Sequence, residues 1–360
     1  MRWINTFLPK ISLLCFIGLI NAGIVYADHP TLSLEKGSAG PITTISAVPL
    51  EQGRFGFSLQ QQVIFNDELS DEELTSHSES EEEIHSTDSL FSTSLAGAYG
   101  LSDRLTLGFS LPHVSRQDIR EAHHDDEEHD EDSPEGDEEH HDDEEEAVEK
   151  LGDSSGMGDL TVYGQYQFLE HSDNGSRAAF LFGIKAPTGS THEHNAEGER
   201  FEAEHQPGSG SWDVLGGLAY STHLSRAGFD ANVLYTFANE GSQNSNLGDV
   251  FNYNVALSWR LRGNEKAAHE HARERAHEHG ESSWDLILEL NGDWREKVNV
   301  RGHSDNNAGG NIAYLSAGTR GLWGNGWSFS LSAGVPVVED LNGIQSEPET
   351  RLLLGIRKGY

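Results

Sequence analysis

GDVFNYNVALSWRL, residues 248–261, sets Phe251, Tyr253, Val255, Leu257, Trp259 and Leu261 on one side of an extended chain and Asn252, Asn254, Ala256, Ser258 and Arg260 on the other. Successive side chains of a strand point to opposite faces, so this period of two is that of a β-strand with one apolar and one polar face. A soluble β-sandwich or a lipocalin-like barrel would turn polar residues outward. Here one face stays uncharged and apolar along its whole length, which suits a strand whose outer side meets hydrocarbon and whose inner side lines an enclosed lumen.

The same split recurs. Leu160, Val162, Tyr166 and Phe168 oppose Thr161, Tyr163, Gln165 and Gln167; Phe229, Ala231, Val233, Tyr235 and Phe237 oppose Asp230, Asn232 and Thr236; Trp327, Phe329, Leu331 and Val335 oppose Ser328, Ser330 and Ser332. Strands are predicted near 54–66, 89–100, 104–114, 158–169, 177–187, 211–223, 229–238, 250–261, 284–294, 311–322, 327–336 and 350–360. The fold class is therefore all-β: a transmembrane antiparallel β-barrel of about twelve strands, occupying 54–360, with long acidic, histidine-rich external loops. Two segments fit less well: Gln61 falls on the apolar face of the first strand, and NIAYLSAGTRGL (311–322) does not choose a face.

Barrels of this kind keep short turns on the periplasmic rim and long loops outside. With the first strand running outward, the external connections are 67–88, 115–157, 188–210, 239–249, 295–310 and 337–349, and the periplasmic ones are 101–103, 170–176, 224–228, 262–283 and 323–326. Only 262–283 breaks the rule. Tyr99, Phe168, Tyr220, Phe229, Trp259, Trp284, Trp327 and Tyr360 then gather near the periplasmic ends as an interfacial girdle. The terminal strand TRLLLGIRKGY resembles the C-terminal signal read by the barrel assembly machinery, with Lys358 where an apolar residue is preferred.

Residues 1–27 have the cationic start, apolar run and small residues Val25 and Ala27 of a cleaved signal peptide, so export to the outer membrane of a Gram-negative cell is expected, with 28–53 as a periplasmic lead-in. The one cysteine, Cys15, lies in that leader, which leaves disulfides, thiolate metal sites and cysteine nucleophiles without a residue.

The formal net charge of -36 concentrates in a few blocks. The segment EAHHDDEEHDEDSPEGDEEHHDDEEE (121–146) has no apolar surface to offset the entropy of ordering and reads as a disordered loop within 115–157. It carries His123, His124, His129, His140 and His141; the third external loop adds His192, His194 and His205, the first adds His77 and His85, and the helix-prone periplasmic segment AHEHARERAHEH adds His269, His271, His277 and His279. Imidazole among carboxylates suits loosely bound, exchangeable Zn, Cu, Ni or Co, although no fixed tetrahedral spacing appears and a purely solvated anionic loop beside lipopolysaccharide is the plainer alternative. No cofactor is required.

Lys185, Asp213, Asp230, Arg260, Asp285, Glu289, Arg351 and Arg357 are predicted to face the lumen, either as a selectivity lining or as a self-neutralising network that plugs it. No nucleophile motif accompanies the histidines, so enzymatic activity is not expected, and neither is a nucleic-acid partner.

Five stretches, GLSDRLTLGFSLPHV (100–114), GMGDLTVYGQYQF (156–168), GIKAPTG (183–189), GSGSWDVLGGLAYS (208–221) and GDVFNYNVALSWRL (248–261), resemble in order the outer-membrane transporters grouped under the "meta-pathway of phenol degradation". The resemblance implies a barrel passing small hydrophobic or aromatic compounds, and the histidine-rich insertions depart from it. The sequence thus points first to a channel for small solutes with metal-binding loops, then to a transporter of aromatic compounds with passive loops, then to a non-conducting metal-buffering barrel.

Overall fold

The computed structural model describes residues 40–78, 84–122, 148–171, 175–262 and 282–360. In chain order the elements are β1 (Phe55–Asn66), α1 (Asp71–Ser78), β2 (Ile84–Ser102), β3 (Leu105–Ala122), β4 (Val148–Met157), β5 (Leu160–His171), β6 (Ser176–Ala186), β7 (Asp213–Leu224), β8 (Ala227–Phe237), β9 (Ser245–Asn246), β10 (Val250–Arg262), β11 (Ser283–Arg295), β12 (Asn299–Val300), β13 (His303–Ser304), β14 (Gly310–Leu322), β15 (Trp327–Leu341) and β16 (Pro348–Gly359). A short 3-10 turn at Ser242–Asn244 precedes β9, which pairs with β12, itself paired with β13, in a small separate sheet.

The large sheet is an antiparallel meander in which each strand pairs with its sequence neighbours. It closes because β1 pairs with both ends of the series, Phe55 opposite Tyr99 of β2 and Gly56 opposite Gly359 of β16. β4 and β5 share one stave, since β5 pairs with the inner half of β3 (Leu105 to Ser110) and β4 with its outer half (His113 to Ala122). The result is a closed barrel of twelve staves.

The face assignment follows the alternation. On β10, Leu257, Trp259 and Leu261 are more than half exposed, whereas Asn252, Asn254, Ala256 and Ser258 are buried. An outside richer in leucine than the inside is stable only in lipid. Leu257, 54% exposed and opposite Leu288 and Phe229, lies near the middle of this outward row. Leu257→Arg is expected to cost about 2–4 kcal/mol, read as a lowered urea midpoint of the barrel in lipid vesicles; an unchanged midpoint would place this face in water.

The two irregular segments have local explanations. Gln61 does point outward, but opposite Thr93, whose hydroxyl donates to its amide oxygen, so each satisfies the other in lipid. On β14 the odd residues Leu315 and Ala317 face outward, and the confusion came from Ile312 and Tyr314 on the inner face, where they pack with Leu341 and under the Arg351 guanidinium, 4.3 Å from the Tyr314 ring. Lys358 lies on the rim with its ammonium over the rings of Trp327 and Tyr360, 5.5 and 4.9 Å away, the interfacial position a long cationic side chain can reach.

Outside the lipid band the sequence reading was too short. Residues 115–122 and 148–157, expected to belong to the disordered loop, are strand, and 84–88 extend β2. These ends project past the lipid, so no apolar face marks them. They carry a small core of their own, Leu69, Leu74, Ile84, Ala122 and Val148, onto which α1 packs. The helix starts in a capping box, Glu73 N–H donating to Ser70 Oγ and Ser70 N–H to Glu73 Oε2, and Arg120 of β3 holds its approach through Glu68 and the Leu69 carbonyl.

The expected periplasmic lead-in differs most. Over residues 40–47 it lies inside the barrel, buried throughout, because its backbone amides find acceptors on the lumen wall. The leader 1–27, the histidines 123, 124, 129, 140 and 141, and the histidines 269, 271, 277 and 279 of the 262–283 connection lie outside the described residues.

Candidate functional site: the lumen and its outer mouth

Residues 41–50 cross the interior by way of main-chain hydrogen bonds to wall side chains. The Glu289 carboxylate of β11 accepts from the amides of Ile42, Thr43 and Thr44, all at 3.0 Å. Successive amides converging on one anion form a nest, in which charge-assisted bonds are stronger than neutral ones. Farther along, Ile45 N–H donates to Asn232 Oδ1 (2.8 Å), Ala47 N–H to Ser221 Oγ (2.7 Å) and Leu50 N–H to Thr106 Oγ1 (2.8 Å). Carbonyls are held in turn: Pro41 by Arg320, Ile42 by Arg357 and Ser46 by Gln165.

Behind the segment the wall is unevenly charged. Asp285, fully buried, accepts from Arg260 Nε at 2.8 Å and from Arg320 Nη2 at 3.2 Å. Arg351 donates to Asn291 Oδ1 (2.6 Å) and Ser316 Oγ (2.9 Å), and Asp230 accepts from Ser221 Oγ (2.6 Å). Lys185 lies 2.5 Å from Asp213 and 3.9 Å from Asp159. Of the eight residues predicted to face the lumen, Arg260, Asp285, Asp230, Glu289, Arg351 and Arg357 line the interior that the segment crosses, while Lys185 and Asp213 sit higher, under the third external loop. The β6–β8 side of the lumen also carries an apolar patch: Ala179 and Leu181 of β6, Leu215 and Ala219 of β7 and Leu234 of β8 pack around Ile45 and Ala47.

At the outer mouth, the 187–212 loop folds against β4, with Ser190 N–H on the Met157 carbonyl and Ala196 N–H on that of Leu151. Its base is a convergence of three of the stretches quoted above. Asp159 accepts from Gly189 N–H and Ser209 N–H, each at 2.8 Å, and from Ser209 Oγ at 2.6 Å. Gly189 and Gly208 meet so closely that a Cβ on either would lie 2.6 Å from the other's backbone, which only glycine permits.

That convergence gives the shared motifs of GMGD, APTG and GSGS a physical role, and the family described as "Putative MetA-pathway of phenol degradation" matches residues 53–270, more than half of the chain. The chain belongs to this family. Among solved structures, the chain is similar to an outer membrane channel from Pseudomonas putida F1, 16% identical with a TM-score of 0.52 over 87% of this chain and 98% of that one. More distant are the β domain of the Bordetella autotransporter BrkA (9% identical, TM-score 0.40, 86% and 100% covered) and the CymD monoaromatic hydrocarbon channel (10%, 0.36, 86% and 88%). No curated protein matches the chain. The fold is that of an outer-membrane barrel.

The histidines predicted as metal ligands divide in the same loop. His192 and His194 are exposed, the first sharing a hydrogen bond with Thr191 Oγ1 and the second pairing with Arg200 in an isolated bridge. His205 is buried, 1% exposed, and lies beside His85 at the outer end of β2 with Glu202 and Glu204. Sequence reasoning named the two histidines without joining them and missed both glutamates. The available signal was FEAEH (201–205), a local grouping inside a charge run.

Proposed function

We propose that the chain is an outer-membrane channel for small hydrophobic or aromatic compounds. The observation that carries it is the mixed lumen: Ala179, Leu181, Leu215, Ala219 and Leu234 form an apolar patch on β6–β8, and Asn232 and Asn254 at its edge, with Asn291 and paired charges farther round the wall, offer polar groups. A flat apolar solute with one polar group could lie against the first while hydrogen-bonding the second, once Ile45 and Ala47 give way. The family's description, which names phenol degradation, supports the same class of cargo.

The test is uptake by energy-poisoned cells with and without the chain in the outer membrane. Toluene is expected to enter faster with it, and Leu215→Asp, which puts a charge on the apolar wall, to remove at least about half of the gain while the folded barrel keeps its electrophoretic heat-modifiability. Equal toluene entry in the presence and absence of the chain would refute the proposal.

A further inference from the structure

We infer that His85, Glu202, Glu204 and His205 form a single built site for a divalent transition-metal ion of the zinc class, fastening the 187–212 loop to the outer end of β2. One donor atom from each residue lies within 4.8 Å of the others. His85 Nε2 is 3.2 Å from Glu202 Oε2, and His205 Nε2 is 3.8 Å from Glu204 Oε1. The two imidazoles stand edge to face with centroids 4.7 Å apart. Donors about 2 Å from a tetrahedral ion are about 3.3 Å from each other, so a contraction of up to about 1.5 Å completes the set. Two nitrogens and two carboxylates select zinc, cobalt, nickel or copper over calcium and magnesium, which prefer all-oxygen shells.

A second observation points to a ligand independently of the clustering. His205 is buried and neither of its ring nitrogens has a hydrogen-bond partner among the described residues. Leaving a buried polar ring unsatisfied is costly, and a metal ion would satisfy it. The backbone under this ring is fixed, because the His205 carbonyl accepts from Ser154 Oγ (2.7 Å) and Arg116 Nη1 (3.0 Å), and Gln206 Nε2 ties back to the Phe201 carbonyl (2.7 Å). Rigid support of this kind keeps a first ligand in place.

The charges around the cluster shift its groups in different directions. Burial opposes charge on His85, yet its hydrogen bond to Glu202 and the fields of Glu121, Glu204 and Glu202 hold its pKa at about 10. Burial, with the cations of His85 and Arg116, keeps His205 well below the usual imidazole range and therefore neutral. Burial also lifts Glu204 to about 7, against the pull of His85, with Glu202 and Asp305 adding to the rise and Arg116 opposing it. The site stands apart from the nature of the solute.

The test is cobalt and zinc titration of the full chain in detergent. The acidic loops can hold further ions, so the readout is the intense visible band of four-coordinate cobalt, which weakly held, water-rich ions do not give. The expected result is that band at one equivalent and its displacement by one equivalent of zinc. Glu202→Gln, at a half-exposed position, and His205→Gln are each expected to lower zinc affinity at least about tenfold, and His192→Gln to leave it unchanged. Absence of the band, or a band that survives both Glu202→Gln and His205→Gln in heat-modifiable barrels, would overturn the inference. None of these readings involves solute flux, so a failure here and a failure of the channel proposal are separate results.

Discussion

Glu289→Ala is expected to raise the open population of the channel on the order of 100-fold in planar-bilayer records. The carboxylate holds Ile42, Thr43 and Thr44 through their amides, and among the described residues it is the one anion that grips this part of the segment. Hydrogen bonds to a charged group contribute about 1.5–3 kcal/mol each. Water admitted to the lumen recovers part of that, and a net loss of about 3 kcal/mol remains, which is the factor stated. Deleting 40–47 should give the same conductance level with no closed state, and the two changes should not add, because both remove the same interaction. If both variants conduct as the parent does, the segment is not what limits passage.

The segment also shows where sequence legibility ends. Strand positions were readable because lipid imposes a period of two on every residue that touches it. Within the lipid band all twelve predicted strands coincide with staves of the barrel to within a few residues. The imposition stops at the interface. Beyond it β2, β3 and β4 are held by a small water-facing core and by Arg120, and nothing in SHSESEEEIHSTD or in the residues after Val114 repeats at a strand period. The stretch PITTISAVPL gave no signal for a different reason: it is anchored through its amides, and a backbone N–H is the same at every residue. Glu289 was readable as an inward charge on β11, but its partner was invisible. The cluster at His85 and His205 joins residues 120 positions apart, so only the fold could bring them together.

Asp285→Asn is expected to destabilise the barrel by about 3–5 kcal/mol, measured as a lowered urea midpoint in vesicles. Asp285 is fully buried and is shared by two guanidiniums, those of Arg260 and Arg320, through three hydrogen bonds. With Arg357 nearby on the Ile42 carbonyl, the guanidiniums of Arg260, Arg320 and Arg357 here stand against the carboxylates of Asp285 and Glu289. Asparagine keeps the shape and removes one of the two anions, so two desolvated cations lose the charge they share. Replacing the whole triad, Asp285→Leu with Arg260→Met and Arg320→Met, should by contrast be close to neutral for stability, since buried ion networks seldom outdo well-packed apolar side chains. What the triple variant does lose is the Arg320 contact to the Pro41 carbonyl. It should therefore keep its urea midpoint and still open more often than the parent, whereas Asp285→Asn should lower the midpoint. Such a split would mean that the charges are retained to hold the segment in the lumen, with the barrel's stability resting on its apolar outer face and its closed sheet.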